Sequence, residues 1–175
     1  MFPASRSTTI APVFTIDAVS NFGVIPNIAL SNASATWPTA NKILYIPFRL
    51  SEPITVQQLL LHNGAAVSGN VEMAIYSEDG TRIVTSGSTA QAGTTAIQLL
   101  NITDTLLGRG AFYFGVSLNN VTGELNRVAP VLGLCQMIGL LTETPGSFGL
   151  PAIATFSAYV DAYLPLCGLL AQSTA

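Results

Sequence analysis

The stretch that decides the fold class runs from Asn70 to Gly87 and reads Asn-Val-Glu-Met-Ala-Ile-Tyr-Ser-Glu-Asp-Gly-Thr-Arg-Ile-Val-Thr-Ser-Gly. Bulky apolar residues occupy every second position of its first half, at Val71, Met73 and Ile75. This two-residue period indicates a β-strand with one buried face. Asp79-Gly80 then tolerates the positive φ of a tight turn, and the apolar pair that follows begins a return strand. The stretch therefore predicts a β-hairpin and an all-β fold.

Further strand-like runs lie on both sides of this hairpin. They cover residues 42–50, 54–62, 96–100, 111–118, 131–141 and 155–164. A helix is the alternative for 54–62, but its β-branched start and the Pro53 before it favour a strand. Pro47 lacks a backbone N–H and therefore places its strand at a sheet edge or at a bulge. Seven or eight strands predict an antiparallel β-sandwich of jelly-roll-like or related topology.

The first 40 residues differ from the rest of the chain. They are rich in Pro, Ser, Thr, Asn and Ala, and they show neither the helical nor the strand period over any long run. Short apolar pieces within them form either brief strands or an extended segment that lies on a neighbouring subunit. We therefore expect an extended N-terminal arm over residues 1–40, followed by a β-sandwich domain over residues 41–175.

The composition points to burial against partners. Hydrophobic residues make up 49% of the chain and charged residues only 9%, against about a quarter in typical domains. A large apolar surface usually marks an interface, so we expect the chain to form an oligomer or assembly. The alternative is a compact domain whose surface is covered by Ser, Thr, Asn and Gln.

Several classes of partner do not fit the sequence. The net charge is −3 and the six cations are scattered singly, so no basic stripe is present to bind nucleic acid. A membrane helix needs about 20 mainly apolar residues, and no run of that kind occurs. The first residues lack the basic start and apolar core of a signal peptide, so we expect folding in a cytoplasm.

Few residues could carry reaction chemistry. His62 is the only histidine, and at a predicted strand end it is more typical of a hydrogen bond to the backbone than of a catalytic base. Cys135 and Cys167 lie among apolar neighbours, which indicates buried free thiols and not a disulfide or zinc site. No nucleophile elbow or glycine-rich phosphate loop occurs. We expect no catalytic residues, cofactor or metal, although a carboxylate pair that acts on glycans stays open.

Aromatic residues are the best candidates for a binding surface. Five of them fall on predicted polar faces or in loops, where a ring would meet water unless a partner covers it: Trp37, Tyr76, Tyr113, Tyr159 and Tyr163. We interpret them as contacts to another subunit or, alternatively, as stacking platforms for a glycan.

Several motifs resemble a β-sandwich domain of tailed-bacteriophage virion proteins. The matching pieces are Ile46-Pro47-Phe48-Arg49-Leu50, Val67-Ser68-Gly69-Asn70-Val71, Ala74-Ile75-Tyr76, Asp79-Gly80-Thr81-Arg82, Ser86-Gly87-Ser88, Leu107-Gly108-Arg109-Gly110-Ala111-Phe112-Tyr113-Phe114, Gly149-Leu150-Pro151-Ala152 and Tyr163-Leu164-Pro165-Leu166. The resemblance covers roughly residues 42–168. The chain departs from typical fibres because it has no long shaft or coiled coil.

The resemblance implies a virion structural protein. Expected roles are a capsid decoration or cement subunit, or a component of a tail fibre or other appendage. Such domains commonly form homotrimers and contact other phage proteins within the virion, and some bind host-surface glycans. A carbohydrate-binding module for host-receptor recognition is the alternative function, and an enzyme that acts on glycans is a third.

Overall fold

The computed structural model describes residues 10–14, 32–128 and 132–173. These residues form fourteen strands and one short helix. The strands are β1 (Ile10–Phe14), β2 (Asn32–Thr36), β3 (Ile43–Leu50), β4 (Ile54–His62), β5 (Asn70–Ser77), β6 (Arg82–Thr85), β7 (Thr89–Ala90), β8 (Ile97–Leu107), β9 (Gly110–Leu118), β10 (Glu124–Val128), β11 (Leu141–Glu143), β12 (Ser157–Ala158), β13 (Leu164–Pro165) and β14 (Cys167–Ser173). The helix is α1 (Leu132–Met137).

The strands build three antiparallel sheets. A large sheet has the order β12-β11-β3-β9-β5-β6, with β7 also paired to β5, and a smaller one has the order β1-β14-β4-β8. A three-stranded sheet adds β13-β10-β2. Apolar side chains of β3, β5 and β9 pack with those of β4, β8 and β14 into the main core, which includes Ile46, Phe48, Met73, Phe114, Val116, Leu59, Leu61, Leu100, Cys167 and Leu169. The predicted all-β, antiparallel sandwich is confirmed.

The predicted hairpin is present as β5 and β6. Gly80 has φ 86°, in the left-handed region that favours glycine. The Asp79 carboxylate accepts hydrogen bonds from the Ser77 hydroxyl and the Thr81 N–H, and these bonds lower the pKa of Asp79. The local turn chemistry therefore forms as the sequence predicts.

The prediction that β5 has a single buried face is wrong. Glu72, Ala74 and Tyr76, on its second face, are buried as well. The chain from 144 to 156, which we call the outer segment, lies over this face. Its backbone is joined to the hairpin by bonds from Arg82 N to Ala152 O (2.9 Å) and from Ala154 N to Gly80 O (2.8 Å).

The predicted central strand over residues 131–141 is also wrong. Within the described part of this stretch, α1 comes first and only Leu141 joins a strand. Cys135 and Ile138 are buried while Met137 is exposed, which is helical spacing. Gly139 follows the helix at φ 82°, as expected for a residue that ends a helix.

The alternating run at 155–164 does not form one strand. Only the two-residue pieces β12 and β13 pair with other strands. Tyr159 is buried and Val160 exposed, the reverse of the predicted faces. Long-range side-chain contacts hold this stretch: Gln136 donates to Tyr159 O at 3.0 Å, and Lys42 pairs with Asp161 at 2.8 Å.

Parts of the predicted arm contribute strands to this chain's own sheets. β1 pairs with β14 over five residues, and β2 pairs with β10 over five residues. The other residues of 1–31 lie outside the described part of the chain, and the proposed boundary near residue 40 stays a prediction.

Candidate binding site

Four of the five candidate aromatic residues are buried, so the expectation that they meet water is wrong for Trp37, Tyr76, Tyr159 and Tyr163. Backbone carbonyl groups satisfy their polar atoms. Trp37 donates to Lys42 O (3.1 Å), Tyr76 to Pro151 O (2.8 Å), Tyr163 to Ala35 O (2.9 Å), and Tyr159 to Tyr163 O. Burial raises the pKa of the three tyrosines above the usual value. Two of the four carbonyls, those of Pro151 and Ala35, belong to residues far from their tyrosine in sequence, so no local pattern could have revealed these two contacts.

Tyr113 is the candidate that keeps an accessible ring. It lies on the outer face of β9, directly opposite Pro47 of β3. Its ring is tilted by 46° against Phe156, with 5.0 Å between the centroids. Burial, and secondarily the Glu78 carboxylate, raise the pKa of its hydroxyl. Its role in an interface or in glycan stacking stays a prediction.

A cleft of about 340 Å³ opens beside this ring, and we call it the Tyr113 cleft. Its lining comes from β3, β9, the hairpin turn and the end of α1: Pro47, Phe48, Arg49, Glu78, Ala111, Phe112, Tyr113, Met137, Ile138 and Gly139.

The missing backbone N–H of Pro47 explains why the cleft lies beside β3. β11 pairs with β3 only at Ile43, Leu44 and Tyr45, so Pro47 lies beyond its end. Because Pro47 has no N–H to donate, the sheet does not need a neighbouring strand at this point. The turn at Gly139 occupies the side of β3 instead. The prediction that Pro47 places its strand at a sheet edge or at a bulge is wrong for the strand as a whole, because β3 lies between β11 and β9 and pairs with β9 without a bulge. Only the part of β3 around Pro47 lacks a second neighbour among the described strands.

Charged side chains border the cleft. Arg49 lines it and also lines a second cavity, of about 430 Å³, together with Ser51 and Arg109. Arg109 Nε donates to Ser51 O at 3.0 Å. Within residues 32–128 and 132–173, Lys42–Asp161 is the only ion pair, so neither arginine is neutralised there.

A second candidate surface is the outer side of β8, which we call the β8 edge. β8 runs for eleven residues and ends the small sheet, with β4 as its sole neighbour among the described strands. Ile97, Leu99 and Leu106 are 54%, 48% and 66% exposed. The residues from Ile97 to Thr103 carry no charge. Long, apolar edge strands of this kind readily pair with other chains.

The structure also locates the other residues considered for chemistry. His62 Nδ1 lies 2.9 Å from Asn63 O, which confirms the predicted backbone contact. Cys135 and Cys167 are confirmed as buried thiols that form no disulfide, and burial raises the pKa of Cys135 to about 11. In the described ranges no group of three or more His, Cys, Asp or Glu could hold a metal ion. The helix found there is too short to cross a membrane.

Comparison with protein-family models, with curated proteins and with solved structures gives no match for this chain. The fold defines a β-sandwich protein, and among its described residues the Tyr113 cleft and the β8 edge are the two surfaces that we consider for binding.

Proposed function

We propose that the chain is a structural subunit of a bacteriophage virion. Its role is to assemble with other virion proteins and not to catalyse a reaction. In this role it associates with copies of itself, in the homotrimer that the resemblance implies, and docks on a larger lattice of virion proteins. Capsid decoration and a tail appendage are both compatible with such a subunit.

The observation that carries this proposal is the β8 edge. A strand with one neighbour leaves half of its backbone N–H and C=O groups without sheet partners. Soluble proteins usually protect such edges with lysine, proline or a covering loop. Here three of the six exposed side chains, those of Ile97, Leu99 and Leu106, are apolar, and Asp104 is the only charge in the strand. Assembly that covers this edge would bury the apolar side chains and satisfy the backbone.

The strand order supports the finer assignment to the jelly roll. The small sheet has the order β1-β14-β4-β8, and four adjacent strands of the large sheet have the order β3-β9-β5-β6. Among these eight strands, those that follow one another directly in sequence lie in facing sheets, except for the β5–β6 hairpin. Two packed four-stranded sheets with such crossings are the arrangement of jelly-roll capsid domains.

The test is the mass of the full chain in solution, measured by light scattering. We expect an oligomer, with a trimer at three times 18.3 kDa. Leu99→Lys should shift the mass toward the monomer, because it places a charge on the β8 edge. Ile153→Lys is the matched control: it alters a side chain that is 70% exposed elsewhere, and it should leave the mass unchanged. A monomer at all concentrations would overturn the proposal.

We propose carbohydrate recognition as the second candidate function, and the Tyr113 cleft favours it. Sugar rings bind where an accessible aromatic face lies next to polar groups, and Tyr113 has Arg49 and Glu78 beside it in the cleft. A glycan array probed with the full chain tests this function. Tyr113→Ala should abolish the signal, whereas Val160→Ala, which changes an exposed residue outside the cleft, should retain it. An array without signal for folded protein would remove this candidate.

A further inference from the structure

Arg49 and Tyr113 share one face of the β3–β9 pair. Pro47 pairs with Tyr113 and Arg49 pairs with Ala111, so the four side chains project to the same side. Diagonal neighbours across antiparallel strands lie about 7 Å apart, which brings the guanidinium within reach of a ligand on the Tyr113 ring. The small Ala111 side chain, directly opposite Arg49, leaves room between them.

The second cavity extends this site along the same strands. Arg49 lines both cavities, and Arg109, just before β9 begins, lines the second. The bond to Ser51 O holds the Arg109 side chain by its Nε atom. The resulting order along the surface is an aromatic ring, a first arginine and a second arginine.

We infer that the Tyr113 cleft and the adjoining cavity form one groove that binds an anionic saccharide, with Tyr113 stacking on a sugar ring and Arg49 and Arg109 pairing with acidic groups. This inference rests on the second candidate function and specifies its ligand class.

The charged residues around the groove favour an anionic ligand over a neutral one. The chain has a net charge of −3 and only six cations, yet two arginines line these cavities. Arginine presents a planar set of donors that fits a carboxylate or phosphate in bidentate fashion. A neutral sugar would leave both guanidinium groups without a counter-charge. Glu78 also lines the cleft and repels an anion there, so its removal should strengthen the binding of an anionic ligand.

The experiment titrates the full chain, by calorimetry, with a panel of uronate-containing bacterial polysaccharides, each beside its carboxyl-reduced form. Wild type should bind a carboxylated form about tenfold more tightly than its reduced form, as expected for charge-assisted hydrogen bonds. Arg49→Gln and Arg109→Gln should each lower that preference, with unchanged thermal unfolding as the check on folding. Raising the salt from about 0.05 to about 0.5 M should weaken only the carboxylated forms, because it screens charges.

A charge-matched pair of variants distinguishes binding in the groove from attraction by the net charge of the whole protein. Glu78→Gln and Asp104→Asn both remove one exposed negative charge, but Glu78 lines the cleft and Asp104 lies on β8. Only Glu78→Gln should strengthen binding of the carboxylated forms. Equal effects of the two variants would overturn the groove as the site.

The remaining outcomes distinguish the inference from the function on which it rests. Equal binding of carboxylated and reduced forms would overturn the anionic preference and leave carbohydrate recognition standing. A preference that survives both arginine variants would overturn the assigned residues. Binding of neither form by folded protein would overturn the inference and the second candidate function together.

Discussion

The outer face of the neighbouring strands β3, β9 and β5 has one half that is covered by other residues and one half that is open. In the covered half, Tyr45 and Tyr76 are fully buried under the outer segment. In the open half, Tyr113 and Arg49 line a cleft. Both halves belong to strands with the same alternation of residues, so the alternation does not distinguish a packed face from a binding surface. A face becomes packed when a segment distant in sequence covers it, and it stays open as a binding surface when no segment does.

Specific contacts hold the covered half. The Tyr45 ring packs edge-on against Tyr76 at 5.2 Å and against Phe156 at 5.0 Å. Glu143 accepts hydrogen bonds from the Tyr45 hydroxyl (2.8 Å) and from the Thr155 N–H (2.9 Å). The outer segment is therefore fixed both by aromatic packing and by a carboxylate. The open half has Phe156 beside Tyr113, but its Arg49 is exposed.

Truncation of one ring in each half should give the largest contrast. Tyr76→Ala removes a fully buried ring and should lower the free energy of unfolding by about 3–5 kcal/mol. Tyr113→Ala removes a partly exposed ring and should lower it by about 1 kcal/mol. Urea denaturation of both variants measures the difference. Equal losses would mean that the open half is packed as tightly as the covered half.

Enlarging Gly115 should have a smaller effect, confined to the covered half. A Cβ at this position would lie 2.7 Å from Tyr76 Cε2, because Gly115 lies beneath the two tyrosine rings. Gly115→Ala should therefore destabilise the protein by about 1–3 kcal/mol through overpacking. Gly108→Ala is the control, since nothing lies within 4 Å of its added Cβ. If urea midpoints of the two variants agree, the close approach of the rings is wrong.

Alkaline pH should act on the covered half through its phenols. Burial raises the pKa of Tyr45 and Tyr76 in the folded state, whereas in the unfolded state both titrate near pH 10. Above that pH the folded state holds more protons, so the free energy of unfolding falls as pH rises, by at most about 1.4 kcal/mol per pH unit for each phenol. Denaturant titrations between pH 9 and about 11 measure the slope.

A variant sharpens the pH prediction. Tyr76→Phe keeps the ring and removes the titrating hydroxyl. The fall of the unfolding free energy with pH should therefore become less steep by the contribution of one phenol. Tyr113→Phe should decrease the slope less, because the Tyr113 ring is only partly buried. A slope that is the same in both variants would contradict the difference in burial between the halves.

Much of the local structure could be predicted from the chain alone. The hairpin at 70–87 follows from alternation, and its turn follows from Asp79-Gly80. These predictions succeed because the deciding interactions lie within a few residues of each other. The helix α1 was missed because a short apolar run has no period that separates strand from helix.

The sequence by itself therefore determined the all-β class, the hairpin and its turn, and the buried state of both cysteines. Only the tertiary structure decided which tyrosines are core and which one is accessible, and which arginines share a groove. The Tyr76 hydroxyl meets Pro151, 75 positions further along the chain, and Arg49 lies near Arg109 only because β3 pairs with β9. Alternation specifies which side chains share a face, but the partner that covers that face comes from long-range packing.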